Sequence, residues 1–252
     1  MRPNANNVPV HAPLFPDPFV PYQCKDYVSL FAVAEANEKE IKRILSYTPF
    51  EYIDNKIVLS ISDFSKTDKL SYMDCAIVVP VKYGDKYGGY YIYEYENNDA
   101  AIAAGRDLWG YPKKYSEIIL KEQDGEIYGY AKKDGEVFLE LKADTSKVIG
   151  KINEPKITPH YNIRTIPKAT GGIYFQEIIE RDTSPDFVLH NKTFLHVDVQ
   201  MNGNLTQPLN QLGPITVLGG GVIKGDFYAT EKNGWGKVLE TIKYGESSLT
   251  SY

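Results

Sequence analysis

Along most of this chain apolar and polar residues alternate with a period of two, the spacing that gives a strand one buried and one wet face. The clearest case is Tyr90-Tyr91-Ile92-Tyr93-Glu94-Tyr95, where aromatic and β-branched residues reinforce the pattern. The spacing predicts strands over residues 27–33, 57–63, 75–82 and 87–95. Three more follow over 116–122, 126–132 and 136–143, joined by Asp124-Gly125 and Asp134-Gly135, which are strong hairpin signals. This part reads as a meander. A second run of strands is predicted over 161–166, 173–181, 194–201 and 215–228.

Two stretches break the alternation. Residues 37–46 set Ile41, Ile44 and Leu45 on one face of a helix. Asn98-Asp99-Ala100-Ala101-Ile102-Ala103-Ala104 opens a second helix, with capping residues ahead of a run of the best helix former. Tyr111-Pro112 must stop it, because the residue before a proline is pushed out of the helical region. Residues 8–22 hold Pro9, Pro13, Pro16, Pro18 and Pro21 among Phe15, Phe19 and Tyr22. They read as an extended arm that packs on the body or on another subunit. With so few helices, the strands must bury one face against each other. The expected fold is mainly β with few helices (α+β), a closed or nearly closed antiparallel barrel. It is expected to be a single domain over residues 1–252, with residues 1–22 as the arm.

Composition sharpens this only in places. A chain of 252 residues, 42% hydrophobic and 24% charged, has the make-up of an ordinary globular protein with one substantial core. The net charge of −5 is spread evenly, so no basic stripe points to nucleic acid and no acidic block to a tail. Twenty tyrosines strengthen the β reading. Cys24 and Cys75 are the two cysteines, with no CxxC and no His/Cys cluster, which argues against a structural metal or a disulfide framework. No run approaches the ~18 apolar residues of a membrane span, and the first residues lack a secretory apolar region. A reduced, cytoplasmic setting is the expectation.

Chemistry enters at Gly105-Arg106-Asp107-Leu108-Trp109-Gly110-Tyr111-Pro112-Lys113-Lys114, where two cations leave a helix-to-strand corner among aromatics. An aromatic setting desolvates an ammonium and lowers its pKa, which would leave a neutral amine able to attack a carbonyl and form an iminium. The plain alternative is a solvated pair at the start of a surface strand. If the pair is extended, the two side chains point to opposite faces, and burial rather than mutual repulsion is the larger influence.

This stretch, with the run from Ala101 that leads into it, closely resembles the signature of the acetoacetate decarboxylase family. Asn162-Ile163-Arg164-Thr165-Ile166-Pro167 and Pro208-Leu209-Asn210-Gln211-Leu212 resemble further family landmarks, so the likeness spans about residues 20–230. It implies a cone-shaped barrel with the Schiff-base lysine inside, Lys113 as that nucleophile and Lys114 as its companion. The family's lysine is itself a standard example of activation by desolvation or a neighbouring cation. No cofactor or metal is implied, and a homo-oligomer is.

The family's essential glutamate precedes a Pro-Val pair by six residues, a place held here by Asp74 ahead of Pro80-Val81. Asp74 equally reads as a strand start. The family's arginine falls near Lys25, which keeps the charge without the planar fork for a carboxylate, and which equally suits a surface pair with Asp26. A further family carboxylate falls on Ser60 or on Asp63, depending on register. Tyr252 at the end of the chain offers a phenol. Gly219-Gly220-Gly221 lacks the context of a phosphate loop and reads as a bend or bulge.

The expected function is therefore decarboxylation of a small β-keto acid through an iminium on Lys113, with Asp74 handling protons and Lys25 meeting the carboxylate. The alternatives are a pyruvate aldolase-dehydratase using the same lysine, and a binding protein on the same scaffold that does no chemistry.

Overall fold

The structure is a computed structural model and describes residues 7–204 and 206–244. In chain order, β1 (Tyr22–Glu35) leads to α1 (Glu38–Leu45), β2 (Glu51–Tyr52), β3 (Lys56–Phe64), β4 (Tyr72–Tyr83) and β5 (Lys86–Glu96). Then come α2 (Asp99–Trp109), β6 (Lys113–Tyr115), β7 (Glu117–Gln123), β8 (Glu126–Lys133) and β9 (Glu136–Val148). The chain continues through β10 (His160–Pro167), β11 (Ile173–Arg181), β12 (Val188–Met201), β13 (Thr216–Ala229) and β14 (Lys237–Lys243). The β14 strand was not anticipated, because its exposed edge position leaves little apolar alternation to read.

The strands form one sheet in the order β14-β11-β10-β5-β4-β3-β1-β13-β12-β9-β8-β7, with β2 beside β4 and β6 beside β5. The mainly β fold with few helices is as expected, and it is the closure of the barrel that the structure corrects. Among the described residues the ladder stays open, with β14 and β7 at its two ends, and two pairings, β5 with β6 and β5 with β10, are parallel. Instead of closing by hydrogen bonds, the β7–β9 meander curls back and packs over β1, β3 and β4. Leu30, Leu59, Ile61, Ile77, Ile127, Leu139 and Leu141 are buried in the space between. Curling buries the apolar face as a closed barrel would, so the sequence pattern does not separate the two.

The opposite face of β1, β3, β4 and β5 carries the site. Along β4, Cys75, Ile77 and Val79 point to the core while Asp74, Ala76 and Val78 point the other way, as strand alternation dictates. Both hairpin turns are as predicted, with Asp124, Gly125, Asp134 and Gly135 all at positive φ. Gly220 and Gly221 sit where a Cβ would strike the backbone of β1 and β12, at 2.1 Å from Phe31 O and from Thr193 O. A register shift opposite Val33 and Ala34 confirms a bulge there.

The arm packs on the body. Phe15, Phe19 and Val20 are buried in a second cluster with Tyr22, Ala104, Trp109 and Tyr111, and the Phe19 and Trp109 rings lie 5.8 Å apart. The arm thereby walls in α2 and the corner that follows it.

Candidate active site

Asn98 accepts a hydrogen bond from the Ala101 amide at the start of α2, and Gly110 ends the helix in the left-handed conformation at φ 73°. A Cβ on Gly110 would stand 2.5 Å from the Arg164 amide nitrogen, so only glycine lets the corner lie on β10. Pro112 follows, and β6 starts parallel to β5 with Lys113 opposite Glu94 and Tyr115 opposite Glu96. On the other side of β5, Glu96 pairs with Asp74 of β4. Three adjacent strands thus aim one lysine and three carboxyls at one point.

The alternation in β5 is interrupted to achieve this. A register shift leaves Ile92 as an extra residue, with Tyr91 opposite Val78 and Tyr93 opposite Ile77. The bulge puts Tyr91, Glu94 and Glu96 on the same face despite odd spacing.

Lys113 is 8% exposed, Asp74 8%, Glu94 4% and Glu96 1%. The Lys113 Nζ donates to Glu96 Oε1 and lies 3.1 Å from Glu94 Oε1. Its stem lies along Gly105 of α2, where a Cβ would meet Lys113 Cε at 2.3 Å. Among the described residues, Oε2 of Glu94 and Oε2 of Glu96 are buried without a hydrogen-bond partner. The donor atoms of Asp74, Glu94 and Glu96 lie within 4.8 Å of one another, a spacing that suits a divalent cation. The Lys113 ammonium, however, already supplies a positive charge to two of the three.

The electrostatics differ from the expected neutral amine. Burial pulls the Lys113 pKa down, but Glu94, Glu96 and Asp74 together outweigh it and hold the ammonium well above its ordinary value. The carboxyls answer in kind. Burial raises both Glu94 and Glu96 to about 7 despite the pull of Lys113, and burial and the charge of Glu94 raise Asp74 well above its ordinary range. Glu94 and Glu96 therefore titrate near neutrality, in contact with an Asp74 carboxyl that is raised and a Lys113 ammonium that they help to hold.

Beside them stands Arg181 at the end of β11, 6% exposed, which lines the same cavity. It donates through Nε to the Gly234 carbonyl at 2.8 Å and through Nη2 to the Tyr22 hydroxyl at 3.1 Å, with its guanidinium 3.9 Å from the Trp109 ring centre. Among the described residues it forms no salt bridge. Tyr111 lies between the two cations, its ring centre 5.3 Å from the Lys113 Nζ. Its hydroxyl pairs with His160 Nδ1 at 2.9 Å. Burial, then the nearby Arg181, lower the His160 pKa to about 3, so this imidazole is neutral. The cavity itself measures about 90 Å³, room for a small molecule rather than the ~300–1,000 Å³ of a drug-sized site.

The structure brings Lys113 and Asp74 together and leaves the other candidates outside. Lys114 points to the opposite face of β6, exposed, with its Nζ 3.4 Å from the Thr206 carbonyl. It is absent from the charges acting on Lys113, as strand alternation requires. Lys25 is also exposed, salt-bridged to Asp226 at 3.1 Å and donating to the Tyr228 hydroxyl, so it does not reach the cavity. Asp63 is the last residue but one of β3 and accepts from the Ser65 amide. Ser60 lines a neighbouring cavity. Tyr252 lies outside the described residues. Sequence reasoning missed Glu94, Glu96, His160 and Arg181.

The family profile described as Acetoacetate decarboxylase (ADC) matches residues 7–239. The chain is 31% identical over 116 residues to acetoacetate decarboxylase 3 of Mesorhizobium japonicum, covering 43% of each chain. It is 28% identical over 130 residues to the acetoacetate decarboxylase of Burkholderia ambifaria, covering 51% of this chain and 52% of that one. The matched stretch thus spans about half the length of these curated relatives or less. A solved acetoacetate decarboxylase superposes with a TM-score of 0.82 at 21% identity, covering 94% of this chain and 96% of that one. The enduracididine biosynthesis enzyme MppR, solved with the condensation product of pyruvate and imidazole 4-carboxaldehyde, superposes at 0.72 with 12% identity, covering 93% and 95%. Signature, fold and profile agree: the chain belongs to the acetoacetate decarboxylase family.

Proposed function

We propose that this chain is a cofactor-independent Schiff-base carboxy-lyase that decarboxylates a small β-keto acid, with Lys113 as nucleophile. The supporting observation is one small cavity that holds a buried amine beside two carboxyls able to keep protons near neutrality, next to a buried guanidinium that forms no salt bridge among the described residues. A buried cation without an anion is costly, and a substrate carboxylate is the natural partner for the planar fork of Arg181. Arg181 takes the role first given to Lys25.

The reaction begins when the Lys113 ammonium passes its proton to an ionised Glu96. Transfer within the cluster leaves its net charge unchanged, which avoids releasing a proton into bulk water. The amine attacks the ketone, and a protonated Glu94 or Glu96 helps water leave from the carbinolamine. The resulting iminium accepts the electron pair of the breaking C–C bond, carbon dioxide departs, and an enamine remains. Asp74, whose protonated form is favoured by burial and by the charge of Glu94, then protonates the enamine carbon. Water hydrolyses the iminium and frees Lys113.

A second reading, condensation of pyruvate with an aldehyde on the same lysine followed by dehydration, draws on the likeness to MppR. Incubation with acetoacetate, and separately with pyruvate plus an aldehyde, distinguishes them. Carbon dioxide released from acetoacetate supports the decarboxylase. Dehydrated condensation product without carbon dioxide supports the aldolase, and neither product supports a binder.

A further inference from the structure

A second cavity of about 360 Å³ adjoins the Lys113 cavity, and five side chains, Phe64, Tyr91, His160, Thr183 and Phe227, line both. Its walls are otherwise largely apolar, with Phe31, Val58, Val78, Phe187 and Ile223. Two hydroxyls in its wall, those of Tyr27 and Ser29, are engaged by Ser62, which donates to Ser29 at 2.8 Å and pairs with Tyr27 at 3.1 Å. The charged Glu154 on its rim is held by Lys192 at 2.7 Å. A hydrocarbon entering this space meets rings and branched side chains and displaces water from apolar surface.

Acetoacetate carries a single methyl on its ketone side and cannot use this volume. We infer that the substrate is a β-keto acid with an alkyl or aryl tail, its carboxylate and ketone in the Lys113 cavity and its tail in the second cavity. This rests on the Schiff-base reading for its chemistry, though not for its groove. The balanced step is R–CO–CH2–CO2⁻ plus one proton giving R–CO–CH3 plus carbon dioxide, so the product is a methyl ketone bearing the same tail.

The test is a kcat/KM series over acetoacetate, 3-oxohexanoate, 3-oxooctanoate and benzoylacetate, with octanoate binding followed by calorimetry. The expected result is a rise of roughly fourfold per methylene buried, or about sixteenfold from acetoacetate to 3-oxohexanoate, which adds two. Val58→Phe and Ile223→Phe fill the groove from two strands, and each is expected to abolish the gain while retaining acetoacetate turnover, which also reports folding. A flat or falling series in the unmodified chain, or a gain that survives both substitutions, overturns the inference. If no keto acid turns over, the lysine reading fails and octanoate decides the groove: binding lost in Val58→Phe upholds it, and no binding overturns it.

Discussion

The charge on Lys113 depends on its neighbours' protons more than on its own burial. Glu94, Glu96 and Asp74 hold the Lys113 proton against the pull of burial, so the free amine is reached by handing that proton to a carboxylate, while the carboxyl proton that helps water leave, on Glu94 or Glu96, is lost above about 7. A lysine tuned by burial alone gains activity as pH rises. Here kcat/KM is expected to fall above an apparent pKa of about 7, measured with a saturating buffer series. An activity that climbs steadily to pH 9 contradicts the coupling. Stability carries the same signature. The Glu96 carboxyl is raised from 4.5 to about 7 in the folded state, so its contribution is fully present below 4.5 and is lost as pH rises through 7. Glu96→Gln removes that loss. Its stability relative to the unmodified chain is expected to improve between pH 4.5 and 7 by on the order of 1–3 kcal/mol, read by urea unfolding at each pH. A constant difference across that window would mean that Glu96 ionises freely.

The elements show why some of this was legible in the sequence and some was not. α2 and its corner were readable, because Asn98, Pro112 and the alanine run are local signals, and Lys113 and Asp74 followed from the motif they stand in. Glu94 and Glu96 were hidden by their own strand. In a Tyr-Glu alternation, glutamates look like the wet face, and nothing local reveals that α2 and the arm cover that face. The available signal was two carboxylates spaced by two on the strand that feeds the lysine corner. Arg181 stands 68 residues beyond Lys113 in a strand of its own, and only the sheet order brings the two together. The helix makes its own prediction. Gly105→Ala removes a helix-interior glycine, which favours stability by roughly 0.5–1 kcal/mol, yet its new methyl falls on the Lys113 stem. Activity is expected to drop about 100-fold while the thermal midpoint holds or rises, since ~1 Å of displacement at the reacting group is enough. Full activity in this variant would mean that the lysine stem does not lie along the helix.

For the molecule as a whole, the open sheet leaves a gradient of protection. β1, β3 and β4 are paired on both sides and covered by the meander, whereas β14 and β7 are edges. Hydrogen exchange followed by mass spectrometry is expected to show the slowest amides in β3 and β4 and the fastest strand amides in β14. Equal protection of β14 and β4 would mean that the edge is covered. The same arrangement separates work between the two faces of one sheet: the apolar face holds the fold, and the other, roofed by α2 and the arm, is free to keep four titratable groups out of water. The most direct test of that arrangement is borohydride reduction in the presence of acetoacetate, with the modified peptide mapped by mass spectrometry at several pH values. A single adduct on Lys113 is expected, its yield declining as pH rises through about 7. An adduct on Lys114 or no adduct at any pH contradicts it.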